Sequence, residues 1–127
     1  MNYLTVEDVL SFHEAIIAET GGAHGVREMG LLLSALEMPK ASMFGELLHP
    51  TVFDQAAAYL FHVVCNHPFL DGNKRTGTVC ALTFLDMNGI DLLYDQSHLE
   101  ELVIDIAAEK ADKQDIASFF RSHNDKR

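Results

Sequence analysis

Apolar side chains recur every three or four residues near the N-terminus, which is the spacing of one face of an α-helix. The stripe comprises Val6, Val9, Leu10, His13, Ile16 and Ile17. Thr5 precedes it as a candidate N-cap, Asp8 follows three residues later, and Gly21-Gly22 ends the pattern. A first helix is therefore predicted between Thr5 and Gly21.

A shorter apolar stripe predicts a second helix, which Pro39 ends because proline cannot continue the helical hydrogen bonds. Residues 40–50 carry no periodic pattern and predict an irregular connection. The inward face of this second helix is expected to comprise Met29, Leu32, Leu33 and Leu36.

Residues from Val52 to about Asn66 are apolar on nearly every side, a pattern typical of a central, buried helix that Thr51 would cap. Pro68 biases His67 away from helical geometry, so a turn is predicted from His67 to Asp71. A second central helix is predicted from about residue 72 to Asn88-Gly89.

The C-terminal third predicts two more helices after a short extended piece at residues 90–94. Ser97 and Glu100 have the spacing of a capping box, and Asp112 can cap the last helix. The residues expected to face the core are Leu99, Leu102, Val103, Ile106, Ile116, Phe119 and Phe120. The whole pattern predicts an all-α, six-helix bundle in which residues 1–127 form a single domain.

Composition fits this picture: 127 residues with 48% hydrophobic side chains suffice for one ordinary core. The longest apolar stretch, Ala56–Cys65, is too short to span a bilayer, and no secretory signal precedes the first helix, so a cytoplasmic protein is expected. Cys65 and Cys80 are expected to be reduced and packed inside. A net charge of −10 disfavours nucleic acid and anionic membranes as partners.

Chemistry concentrates in residues 67–77, which read His-Pro-Phe-Leu-Asp-Gly-Asn-Lys-Arg-Thr-Gly. The first amides of a helix carry no internal partner, so Gly72, Asn73 and Lys74 could cradle a phosphate. The helix dipole supplies only about 0.3–2 kcal/mol, so Lys74, Arg75 and a metal would have to share the binding of a triphosphate. Arg75 could instead pair with a surface acid.

Two side chains of the turn suggest catalysis. Asp71 could bind magnesium, which prefers oxygen ligands, or could simply cap the helix. His67 has an imidazole suited to general base catalysis near neutral pH. Asn73 could contact a phosphate or orient the loop, and Phe69 is expected to fix the loop in the core. The remaining histidines, expected to be structural, are His13, His24, His49, His62, His98 and His123.

The segment resembles the signature of the Fic/Doc family, and in particular its death-on-curing branch, which has His-Pro-Phe, a variable residue and Asp-Gly-Asn-Lys-Arg-Thr. The resemblance extends to the Gly21–Arg27 segment, to Gly30–Leu36 and to Phe84–Gly89, and so covers most of the chain. It implies an all-helical Fic-type fold.

The resemblance also implies roles for individual residues. His67 would be the general base, Asp71 would hold Mg²⁺, and the phosphates of ATP would contact Asn73, Lys74 and Arg75. Family members that transfer AMP usually have Gly where this chain has Lys74. The branch with Lys is associated with phosphate transfer to elongation factor Tu.

The leading hypothesis is therefore a toxin of a type II toxin-antitoxin system, a kinase that transfers the γ-phosphate of MgATP to a Ser or Thr hydroxyl of a translation factor. Transfer of AMP from the same site is the second hypothesis, and an idle module that binds nucleotide or peptide is the third. Ser42–Glu46 and Ser97–Glu101 have the spacing of the family's inhibitory motif, but Leu follows each. Inhibition is therefore expected in trans, from an amphipathic segment of an antitoxin that lies in a groove.

Overall fold

The computed structural model describes residues 1–126. Its α-helices in this range are α1 (Val6–Thr20), α2 (Met29–Glu37), α3 (Val52–Asn66), α4 (Asn73–Met87), α5 (Gln96–Ala107) and α6 (Lys113–Ser122), and a 3-10 turn, Met38–Lys40, follows α2. Between α2 and α3 lies a short antiparallel hairpin of β1 (Ser42–Met43) and β2 (Glu46–Leu47). The all-α, six-helix architecture predicted from sequence is thus confirmed. No helix among the described residues is long and apolar enough to cross a membrane.

Helix α3 is the centre of the bundle, because α2, α4, α5 and α6 all pack against it while α1 packs on α4. The residues from Ala56 to Leu60 have no exposed surface. Gly77 lets α4 approach closely, since a β-carbon at this position would lie 3.2 Å from the Leu60 carbonyl oxygen. The loop between α3 and α4, residues 67–72, is therefore held at both ends by the core.

Side-chain caps fix the starts of four helices. The reciprocal capping boxes of α1 (Thr5 with Asp8) and α3 (Thr51 with Asp54) are present, and Asp112 caps α6 as predicted. The prediction for α5 was wrong, because Asp95 is its N-cap. The amide and the hydroxyl of Ser97 both donate to Asp95 Oδ1, at 2.9 and 2.7 Å, since the carboxylate is the stronger acceptor.

The predicted inward face of α2 was half wrong. Leu32 and Leu36 are buried, whereas Met29 and Leu33 are 42% and 48% exposed, because this short helix buries only a narrow stripe against α3. The segment 40–50 was predicted to be irregular, but it contains the β1–β2 hairpin. Two-residue strands are too short to show a period in the sequence.

Of the two cysteines, Cys80 is buried as expected, and burial raises the pKa of its thiol to about 12. Cys65 is exposed, which corrects the prediction that both thiols pack inside. It lies in the last turn of α3, where the helix emerges from the core. Both thiols are free. Residues 90–94 form no strand, and a single bridge joins Leu92 to Asn124.

The start of α6 is attached to α3 through a lysine between two histidines. The Nζ of Lys113 lies 2.9 Å from Nε2 of His49 and 2.9 Å from Nε2 of His62. Both imidazoles must be neutral to accept these hydrogen bonds. Burial and the Lys113 charge lower the pKa of His62 to about 4, and the same two causes lower the pKa of His49.

These shifts predict that acid destabilises the fold. Because the folded pKa of His62 is about 4 and its ordinary value is 6.5, the unfolded chain binds a proton first as the pH falls. The contribution of the neutral His62 to the free energy of unfolding is fully present above pH 6.5 and is lost progressively as the pH falls toward 4. After allowance for partial exposure, His62 accounts for about 1–2 kcal/mol of this loss.

Urea unfolding of the parent and of His62→Gln at pH 7 and pH 4.5 checks this prediction. The glutamine keeps an acceptor for Lys113 and does not titrate, so the difference in unfolding free energy between the two pH values should shrink by that amount. His98→Gln is the control, because His98 is exposed. Equal pH dependence in all three proteins would refute the assignment.

Candidate active site

His67 directly follows α3 and is the first residue of the loop. It is the C-cap of α3, with a left-handed backbone at φ 53° and ψ 54°, and its amide donates to the Val63 carbonyl oxygen at 3.3 Å. The right-handed helix thus ends at Asn66, as Pro68 predicted. His67 is exposed to solvent.

The interior of the loop is built on Phe69, which is fully buried as predicted. Its ring stacks on His13 of α1, with ring centroids 3.9 Å apart and planes 8° from parallel. His13 Nε2 also lies 2.8 Å from the Asp71 carbonyl oxygen, so this nitrogen carries the proton and donates. His13 is 4% exposed and ties the loop to α1.

Asn73, in the first turn of α4, closes the loop with its side chain. The Phe69 amide donates to Asn73 Oδ1 at 2.9 Å, and Asn73 Nδ2 donates to the Phe69 carbonyl oxygen at 3.0 Å. Asn73 is 5% exposed. Of the two roles considered from sequence, the structure shows Asn73 orienting the loop. A contact between its side chain and a phosphate stays a prediction.

The N-terminus of α4 is open to an anion. Its N-cap is Gly72, at φ 82°, and no side chain caps the helix. The first helical hydrogen bond runs from the Thr76 amide to the Gly72 carbonyl oxygen, so the amides of Asn73, Lys74 and Arg75 have no partner within the helix. A β-carbon at Gly72 would lie 3.1 Å from Ile17 Cδ1, so glycine lets the turn sit close to α1.

Asp71 is exposed and does not cap α4, so the capping alternative was wrong. Its Oδ2 instead accepts the Ala23 amide at 2.7 Å, while Oδ1 has no hydrogen-bond partner among the described residues. Residues 1–126 contain no group of three His, Cys, Asp or Glu side chains that could hold a metal. The donors fit magnesium bound through one carboxylate, with water and nucleotide oxygens completing the coordination.

Lys74 and Arg75 are exposed beside the open helix end. Neither forms an ion pair with any described residue, so the alternative in which Arg75 pairs with a surface acid is not observed. Both line a groove of about 490 Å³ between α1, α4 and α5. The apolar side chains of this groove include Ile16, Val79, Leu82, Leu99, Val103 and Ile104.

Sequence reasoning missed three groups that hold the loop. The Arg27 guanidinium donates to the carbonyl oxygens of His67 and Asn66, at 2.8 and 3.2 Å, and the Ala23 amide holds Asp71. His13 was expected to be structural, but its bond to the loop was not foreseen. The signals were a histidine inside an apolar stripe and the glycine-rich segment before Arg27.

Known proteins are similar to this chain in sequence. The Fic/DOC family model matches residues 3–85. A protein named Toxin Doc, from Mycolicibacterium smegmatis, is 38% identical over 118 residues, which cover 91% of this chain and 88% of the relative. Protein kinase doc, from Escherichia phage P1, is 28% identical over 121 residues, covering 95% and 94%. The chain therefore belongs to the Fic/DOC family.

Proposed function

We propose that this chain is a Doc-type toxin that transfers the γ-phosphate of MgATP to a Ser or Thr hydroxyl of a protein. One observation carries the proposal. The loop that leads into the uncapped N-terminus of α4 carries an exposed imidazole and a carboxylate with a free oxygen, and two unpaired cations lie in the first turn of the helix. A base, a metal ligand and an anion cradle are the parts that phosphoryl transfer requires.

Each group has one role in the proposed reaction. His67 accepts the proton of the substrate hydroxyl as its oxygen bonds to the γ-phosphorus, the bond to the β-phosphate oxygen breaks, and ADP leaves. Magnesium held by Asp71 would neutralise phosphate charge. The amides of Asn73, Lys74 and Arg75 bind phosphate oxygens, and the Arg75 fork adds bidentate hydrogen bonds.

Lys74 favours transfer of phosphate over transfer of AMP. It occupies the second position of α4, is exposed, and forms no ion pair within residues 1–126, so its ammonium can reach the phosphates beside the helix end. The ammonium fills space that glycine would leave for the α- and β-phosphates, so the γ-phosphate lies nearest His67. The name of the phage P1 relative, Protein kinase doc, supports the same choice.

The substrate proposed is elongation factor Tu, modified in the cytoplasm with growth arrest as the result. This choice rests on the family resemblance around residues 67–77 and on Lys74 in particular. AMP transfer and an idle binding module remain the alternatives that the first experiment below separates.

The groove beside Lys74 and Arg75 is the proposed binding site of an antitoxin. The name Toxin Doc of one relative supports such a partner. The lining is mostly apolar, and the two unpaired cations lie at the end nearest residues 67–72, here named the catalytic loop. An amphipathic helix could bury its apolar face there and place an acidic side chain on Arg75, where it would displace a phosphate.

The position of the label transferred from ATP tests the activity. Purified elongation factor Tu is incubated with the parent protein and either γ-labelled or α-labelled ATP. We expect label from the γ position and none from the α position. Lys74→Gly should lose most γ-transfer, because the charge and bulk that orient the triphosphate are gone.

Label from the α position alone would overturn the kinase assignment in favour of AMP transfer. Absence of label from both positions, with nucleotide still bound, would favour the idle module. Lys110→Gly is a suitable control, because Lys110 lies between α5 and α6 and does not line the groove.

His67→Ala should leave the fold intact, since His67 is exposed at a helix end, and should lower transfer by about 100- to 10,000-fold. Circular dichroism checks the fold, and initial rates of γ-transfer check the activity. Expression of the parent without an antitoxin should arrest growth, whereas His67→Ala should not. A folded variant that is as active and as toxic as the parent would contradict the base assignment.

A further inference from the structure

The segment from Gly22 to Glu28, here named the strap, runs antiparallel to the catalytic loop and is hydrogen-bonded to it along its length. Val26 and Phe69 form a single antiparallel bridge. The bonds are Arg27 N to Pro68 O (2.7 Å), Glu28 N to Pro68 O (3.0 Å), Leu70 N to Gly25 O (3.2 Å), Ala23 N to Asp71 Oδ2 (2.7 Å), and the two from the Arg27 guanidinium. The strap thus contacts the loop at both of its ends, at His67 and at Asp71.

Arg27 acts on the His67 end. A left-handed backbone at a residue other than glycine costs about 1–3 kcal/mol and persists only where the surroundings enforce it. The guanidinium donates to the carbonyl oxygens of Asn66 and His67, which belong to the two peptides that flank the His67 α-carbon. These carbonyls are the unpaired acceptors of the α3 C-terminus, which a cation also stabilises.

The other end of the strap acts on Asp71. The Ala23 amide donates to Oδ2, which leaves Oδ1 without a hydrogen-bond partner among the described residues. Gly22 packs directly against this carboxylate, and a β-carbon there would lie 3.3 Å from both Asp71 Cβ and Oδ2. The strap therefore restricts Asp71 to one orientation.

We propose that the strap positions both catalytic groups: Arg27 is a positioning residue for the general base His67, and Gly22 with the Ala23 amide orients Asp71 toward the metal. This inference rests on the proposed function, because it assigns roles around the same site. Neither Arg27 nor Ala23 is buried, so the core does not depend on them. Arg27 instead contacts the backbone of His67, and the Ala23 amide contacts the carboxylate of Asp71.

Arg27→Ala tests the first half. It should lower kcat of γ-transfer by about 10- to 100-fold, the cost of a small misplacement, while KM for ATP stays within about twofold. Arg27→Lys, which can reach one carbonyl, should recover part of kcat. Adding Arg27→Ala to His67→Ala should lower the residual rate no further, because Arg27 acts through His67.

Arg121→Ala is the matched control for this variant. Arg121 is also exposed and joins two elements, through a 3.4 Å contact with Asp54, but it lies on α6, away from the loop. Its loss should lower the melting temperature comparably and leave kcat unchanged. Equal kcat in Arg27→Ala and Arg121→Ala would overturn the role of Arg27.

Gly22→Ala and Gly21→Ala test the second half. Both glycines have positive φ, at +111° and +80°, so both variants carry backbone strain, but a β-carbon at Gly21 meets nothing within 4 Å. Calorimetry measures how many-fold magnesium raises the affinity for ATP. This factor should be about tenfold smaller in Gly22→Ala than in the parent, as expected when one metal ligand is misoriented. Gly21→Ala should keep it. Equal magnesium effects in both variants would overturn this half.

A crystal structure of Arg27→Ala decides the inference even if the parent protein transfers no phosphate. The His67 backbone should leave the left-handed region, and an unchanged φ near 53° would contradict the proposal. The labelling experiment tests the proposed function separately. Failure of transfer in the parent and failure of the strap to position His67 are thus distinct results.

Discussion

Two hydrogen bonds between the Asn73 side chain and the Phe69 backbone close the loop on which every feature of this site depends. They are buried, so losing them would leave polar groups of Phe69 unpaired at a cost of about 1–3 kcal/mol. His13 adds the ring stack and the bond to the Asp71 carbonyl. Together these contacts fix the conformation of the loop that joins His67 to Asp71, and they do so without any ligand.

The same loop resolves an electrostatic conflict. A chain with a net charge of −10 repels a triphosphate as a whole, so binding has to come from a local arrangement. Because Asn73 folds inward and Asp71 turns to Ala23, no side chain occupies the start of α4. Its first amides are left without partners in the helix, as an anion site requires, with Lys74 and Arg75 unpaired beside them.

Local rules predicted much of the fold from the sequence. The bounds of α3 and α4 followed from apolar periodicity, Thr51 and Pro68, because these signals act within a few residues. The strap did not follow, since Arg27 and His67 lie 40 residues apart and meet only through tertiary packing. The sequence could not show whether Asp71 caps α4. The same carboxylate can either cap the helix or accept the Ala23 amide, and only the three-dimensional structure shows which contact forms. The exposure of Leu33 and Cys65 likewise depends on which face each helix packs against its neighbours, and the local pattern does not show this.

The central claim is that the loop of residues 67–72 is fixed in the free protein, in the absence of any nucleotide. Amide hydrogen exchange of Phe69, followed by NMR without ATP or magnesium, tests it most directly, because this amide donates to Asn73 Oδ1. A fixed loop predicts slowing by at least about a thousandfold relative to an unstructured peptide, close to that of core amides in α3. Exchange within about tenfold of the unstructured rate would show a loop that orders only on binding, and would contradict the account.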